Sequence, residues 1–399
     1  MDLHPHFRRI WHLSLLSFII ASVTGFLYRY GMLYPLAEWL HFANIRHAHS
    51  HLMFFNWISP PIMIWMASSI IKKSDYAAVR NFSVCIYTML FIGALSFPFF
   101  LVYGYHSVPL GFASLPLAAI LSGLVMITWY WFIWLYYLAG NNRPGNISKL
   151  FFDAALLTLF ISSLGAWGVS VIQFLDVQNP LFSSAMTHFF LATFTEGWAM
   201  LGILGILWSK TSVSQSKLQI SAGWFWVPLL FGSMMIFPFS LTQTLVTPVM
   251  LLTAKTGLVL IIAGLIANVW FLTKEKVFNT VTRKVILLLL ILKILFQAAA
   301  ILPLEIWPGE HGLRVLYLHI LLLGIISVTL IEAFTGVKVT LTKVLFAISV
   351  LLVILSLGMI SGYWPAHLLP PDIYVWVMLI SILPTIPAIA IWIFTVKNM

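Results

Sequence analysis

Hydrophobic and polar positions divide the chain into long apolar runs parted by short polar breaks. Runs long enough to cross a hydrocarbon core of about 30 Å occupy residues 12–31, 49–71, 81–103, 112–139, 150–175, 182–209, 221–241, 247–273, 284–304, 312–335, 339–361 and 373–396. The breaks carry turn-forming and charged residues. They include Lys72-Lys73-Ser74-Asp75, Gly140 through Gly145, Asp176 through Pro180, Pro308-Gly309 and Pro365 through Asp372. No long linker interrupts the series. The pattern predicts one all-α transmembrane domain over residues 1–399, a polytopic bundle of about twelve spanning helices.

Composition sharpens this picture. Charged residues make up 8% of the 399 and hydrophobic ones 61%, whereas a soluble domain is about 25% charged. The environment expected is therefore a lipid bilayer. The lone Cys85 excludes an intramolecular disulfide and a thiolate metal cluster, and no Cys-x-x-Cys-His segment is present to attach haem covalently. The N-terminal stretch MDLHPHFRRIWH leads into the first run without a small-residue cleavage site, so that run is expected to stay as an anchor.

The net charge of +10 has a topological explanation that needs no nucleic-acid partner. With the N-terminus in the cytoplasm, sixteen of the 21 Lys and Arg residues fall on the inner side. Arg29, Arg46 and Arg314 fall outside, and Lys255 and Lys293 lie within runs. That asymmetry is the positive-inside pattern. It predicts cytoplasmic termini and a multi-pass protein of a bacterial inner membrane.

The same topology sorts the histidines. Of the twelve, only His4, His6 and His12 fall inward. His47, His49 and His51 open the second run, His188 lies near the outer end of the sixth, and His319 near that of the tenth. Three helices can thus bring imidazoles to one depth. Imidazole suits iron, copper and zinc, and ionisable groups inside a membrane are costly unless they serve a purpose. His49 and His319 form the best pair of candidate metal ligands, although His51 could replace His49. Ser50, Asn56 and Tyr317 are nearby candidates for orienting hydrogen bonds. His47 and His51, four residues apart on one helical face, could join His188 around a second metal. Interfacial histidines lining a polar cavity are the simpler reading for each.

Glu196 stands about halfway into the sixth run, and Lys255 in the eighth lies at similar depth. They are candidate catalytic residues as a proton relay; a helix-packing ion pair is the alternative. Lys293 and Glu332 are placed nearer the inner face, where long side chains snorkel. Arg46 and Arg314 are candidate partners for a cofactor's carboxylates, or for lipid phosphate.

Three stretches carry a family resemblance: Arg46-His47-Ala48-His49, His188 with Glu196-Gly197-Trp198, and Tyr317-Leu318-His319 with Gly324. Their placement on the second, sixth and tenth runs resembles the haem–copper oxidase superfamily, including the nitric oxide reductase large subunit. The HAHSHLMFF stretch is similar to that of NnrS-type haem–copper membrane proteins. The resemblance implies a subunit-I-like bundle, haem b ligated by His49 and His319, and copper or non-haem iron as a second metal. It also implies an electron-donor subunit or quinol as partner, nitric oxide or oxygen as gas ligand, and electron transfer or oxidoreductase chemistry near the outer face. Two departures bear on turnover. Tyr317 stands where the family has the proximal histidine of its catalytic haem, and the seventh run, from Trp224-Phe225-Trp226, lacks the family's His-His pair. Two other classes fit the pattern: a twelve-helix secondary transporter, and a haem- or copper-binding assembly or sensing factor without turnover.

Overall fold

The computed structural model describes residues 3–111, 113–140, 146–175, 177, 179–211, 213, 221–302, 307–336 and 339–396. Among them each of the twelve apolar runs contains a helix. These are α1 (Pro5–Tyr30), α2 (residues 42–70), α3 (Tyr76–Tyr103), α4 (Leu117–Gly140), α5 (Ile147–Phe174) and α6 (Pro180–Trp208). There follow α7 (Gly223–Met235), α8 (Pro248–Lys274), α9 (Val281–Ala299), α10 (His311–Phe334), α11 (Thr340–Met359) and α12 (Ile373–Val396). Arg143, Lys217, Lys338 and Lys397, part of the predicted inner charge, lie outside the described residues, as do Asn141, Pro144 and Asp176 of the breaks.

Nine of these helices are long and apolar enough to cross a membrane. The other three are α2, diluted by its histidines, Asn56 and Pro60-Pro61; α9, which carries Arg283, Lys284 and Lys293; and α7, which is short. The seventh run was expected to continue to residue 241, but α7 stops at Met235 and a 3-10 turn containing Pro238 follows. Proline has no N–H for an incoming helical bond, which accounts for the break. Phe91, Leu138, Leu252 and Leu341 point away from protein and are each more than half exposed, as lipid-facing side chains are. The chain is a multi-pass, all-α membrane protein.

The breaks start helices by capping. Asp75 accepts a bond from the Ala78 N–H at 3.0 Å to open α3, and Thr247 and Thr280 cap α8 and α9 in the same way. At its other end α3 stops at Gly104 (φ 59°, ψ −127°), backbone that only glycine adopts without strain. A short hairpin, β1 (Val108–Pro109) against β2 (Ser114–Leu115), leads on to α4.

Two compact units are present. The first comprises Met1–Asn142 with Leu330–Met399, and the second Arg143–Thr329. In the first, α1 packs against α2, α3 and α12; Trp11 and Phe18 of α1 meet Trp57 of α2 at ring separations of 5.5 and 4.8 Å. In the second, α6 packs on α5, and α8 on α7 and α9. Gly205 of α6 lets the Phe152 ring of α5 approach to 2.4 Å from where a Cβ would stand. Asn268, wholly buried, accepts from the Trp208 indole at 2.7 Å and donates to the carbonyls of Phe225 and Gly264.

Candidate functional site

Three helices depart from regular α geometry by a turn of i→i+5 bonding: Met53–Ile58 in α2, Thr193–Ala199 in α6 and His319–Ser327 in α10. These are the helices that carry the candidate ligands. Such π-type turns cost hydrogen-bond geometry and recur at functional sites. Local chemistry supports them. In α2 the turn precedes Pro60 and Pro61, which cannot donate to carbonyls one turn back, and the Ser59 hydroxyl donates to Phe54 O at 2.8 Å. In α10 Ser327 makes the equivalent bond to Leu322 O at 2.7 Å.

In the first unit, His49 Nδ1 lies 2.7 Å from the Ala21 carbonyl of α1. A carbonyl only accepts, so Nδ1 carries the proton and the lone pair of the neutral ring is on Nε2. Gly25, one turn further along α1, makes room for the ring; a Cβ there would stand 3.1 Å from His49 Cε1. His51 is held by different partners. His51 Nδ1 is 2.9 Å from His47 O, while its Nε2 faces the Tyr105 hydroxyl at 3.3 Å. Burial pushes the Tyr105 phenol up to about 12, against the opposing pull of Arg46, so it remains a donor. Both nitrogens of His51 are thereby engaged, and its ring is stacked on Phe100 at 3.9 Å.

His47 and His51 do come together, with ring centroids 6.4 Å apart. Among the described residues, however, no three His, Cys, Asp or Glu side chains converge as a metal-ligand set. Ser50 and Asn56 do not orient His49, since they donate to His47 O and Leu90 O. Arg46 is exposed.

In the second unit, His319 Nδ1 is 2.7 Å from Val315 O, which again leaves the lone pair on Nε2. His188 is half-buried, with its Nδ1 buried and lacking a hydrogen-bond partner, and Arg314 is near enough to act on it electrostatically. Arg314 itself donates to Ser240 O at 3.3 Å.

The expected pairing of Glu196 with Lys255 is replaced by a different one. Lys293 of α9 is wholly buried, and its Nζ lies 2.8 Å from both Glu196 carboxylate oxygens. Tyr317 donates to Glu196 Oε1 and accepts from Lys293 at 2.6 Å and from Gln297 at 2.8 Å. The reason lies in the register of α9. Ile286, Leu289, Leu290, Lys293 and Gln297 form its buried stripe, so Lys293 faces inward with no route to the surface, and snorkelling does not occur. Lys255 of α8 is half-buried. Glu332 does not snorkel either: it meets Lys343 at 2.9 Å, both side chains 8% exposed.

No known family model matches the chain, and no curated protein matches it in sequence.

Proposed function

We propose that the protein is an integral membrane haem protein of the haem–copper oxidase and nitric oxide reductase type, with His49 and His319 as axial ligands of b-type haem. The observation that carries this reading is the shared state of the two rings. Each directs Nδ1–H to a backbone carbonyl at 2.7 Å, which fixes ring orientation and tautomer and leaves Nε2 as the ligating nitrogen. Histidines that bind metals are held in this way. The turns at α2 and α10 support it, and so does the space that Gly25 leaves beside His49.

Haem b, when bound, supplies a one-electron iron centre. The pairing of the two rings on one iron is what the family resemblance implies, and haem stoichiometry tests it. The protein's role is electron transfer or gas binding near the outer face, because Tyr317 is occupied by Glu196, Lys293 and Gln297. Glu196, with both oxygens beside Lys293, acts as a counter-ion holding α6, α9 and α10.

The test is the haem content of purified protein carrying His49→Ala or His319→Ala. One haem per chain, lost on either substitution, is expected; full retention in both variants would overturn the assignment. A secondary transporter is the second reading, favoured by the buried Glu196–Lys293 pair, since intramembrane ion pairs mark transport pathways. Solute uptake that survives His319→Ala and fails on Glu196→Gln would favour it.

A further inference from the structure

Arg29 of α1 was left unassigned by the family resemblance. It sits four residues beyond Gly25 on the same helix, so the two lie one turn apart on one face. Its guanidinium is near enough to act electrostatically on the His49 ring. It is half-buried, yet its neighbours do not answer a full positive charge. One nitrogen lies 3.5 Å from Met32 Sδ, and the group stands 5.8 Å from the ring centroid of adjacent Tyr28. Among the described residues no carboxylate lies within ion-pair distance of it. A thioether is a weak acceptor, and a partly desolvated charge without a counter-ion is costly.

We propose that Arg29 is an anion clamp for the His49 site, taking a carboxylate of the haem-propionate class. This rests on the haem reading above. It also moves the propionate role in the first unit away from Arg46, which is exposed. A guanidinium presents paired N–H donors that match a carboxylate bidentately, and this one sits a turn from the glycine that accommodates the ligating ring. Lipid phosphate shares the chemistry, and the experiment separates the two sources.

The full-length protein is purified with Arg29→Gln, Arg29→Lys and His49→Ala, and haem transfer to apomyoglobin is timed alongside a spectroelectrochemical titration. Loss of a charge-assisted bond of roughly 1.5–3 kcal/mol corresponds to a ten- to hundredfold change. Arg29→Gln is therefore expected to speed haem loss roughly tenfold or more and to lower the midpoint potential, because a positive charge near the iron is gone. Arg29→Lys, which keeps the charge, should hold the potential near wild type. Reconstitution with haem dimethyl ester, which lacks the carboxylates, should erase the difference in haem loss between wild type and Arg29→Gln.

Wild-type haem loss and potential in Arg29→Gln would overturn the clamp while leaving the haem reading intact. So would an Arg29→Gln increase in haem loss of equal size with the ester, or loss of co-purified anionic lipid in Arg29→Gln with haem unchanged. A wild-type protein that binds no haem would fell the haem reading first, and the clamp with it.

Discussion

Removing one partner of the Glu196–Lys293 pair should cost far more than removing both. Lys293→Met keeps the volume of the aliphatic stem and deletes the charge, leaving a carboxylate that is 2% exposed with only Tyr317 to answer it. Breaking a buried pair in this way costs roughly 3–5 kcal/mol. Glu196→Gln strands the ammonium of a lysine with no exposed surface and should cost a similar amount. The double variant leaves no buried charge, and replacement of a whole pair by neutral groups is often close to neutral. With singles of roughly 3–5 kcal/mol each and a double near neutral, the predicted coupling is roughly 6–10 kcal/mol, the double variant being more stable than the sum of the singles. Unfolding in mixed micelles, followed by intrinsic tryptophan fluorescence, measures all four corners of the cycle. Lys255→Met serves as the comparison and should change stability by less than about 1 kcal/mol. Single variants costing less than that, or a double variant equal to their sum, would refute the pairing.

Asn268→Leu should destabilise the second unit by roughly 1–3 kcal/mol, because the Trp208 indole N–H and two carbonyls lose their buried partner; the same unfolding assay reads it. Gly25→Ala puts a methyl 3.1 Å from His49 Cε1 and should perturb the haem absorption bands, with a stability cost of about 1–3 kcal/mol from overpacking. Unchanged bands would show that the ring has slack. Cys85 is 1% exposed, so a thiol reagent in detergent should label it only as the first unit unfolds. Rapid labelling under native conditions would contradict the packing of α3.

The helices were legible in the sequence because apolar runs in a membrane protein are long and their breaks carry caps and prolines. Asp75 and Thr247 each start an element for a reason visible in the letters. The histidine-bearing helices were legible too, as chemistry out of place in apolar runs. Side-chain partners were not. Depth alone sends Lys293 to snorkelling, whereas its spacing from Ile286, Leu290 and Gln297 sets it on the buried stripe of α9. The carbonyls of Ala21 and Val315 that hold the two histidines have no sequence signal, since a backbone carbonyl is the same at every residue. Arg29 was visible as one of three outer arginines, but its nearness to His49 depends on how α1 packs on α2.

The most direct test of the haem assignment is a dithionite-reduced minus air-oxidised absorption spectrum of the purified protein, with pyridine haemochrome quantification on the same sample. A sharp low-spin b-type signal at one haem per chain is predicted. Absence of haem after expression with ample haem supply would contradict it, and the buried Glu196–Lys293 pair would then be examined as part of a transport pathway.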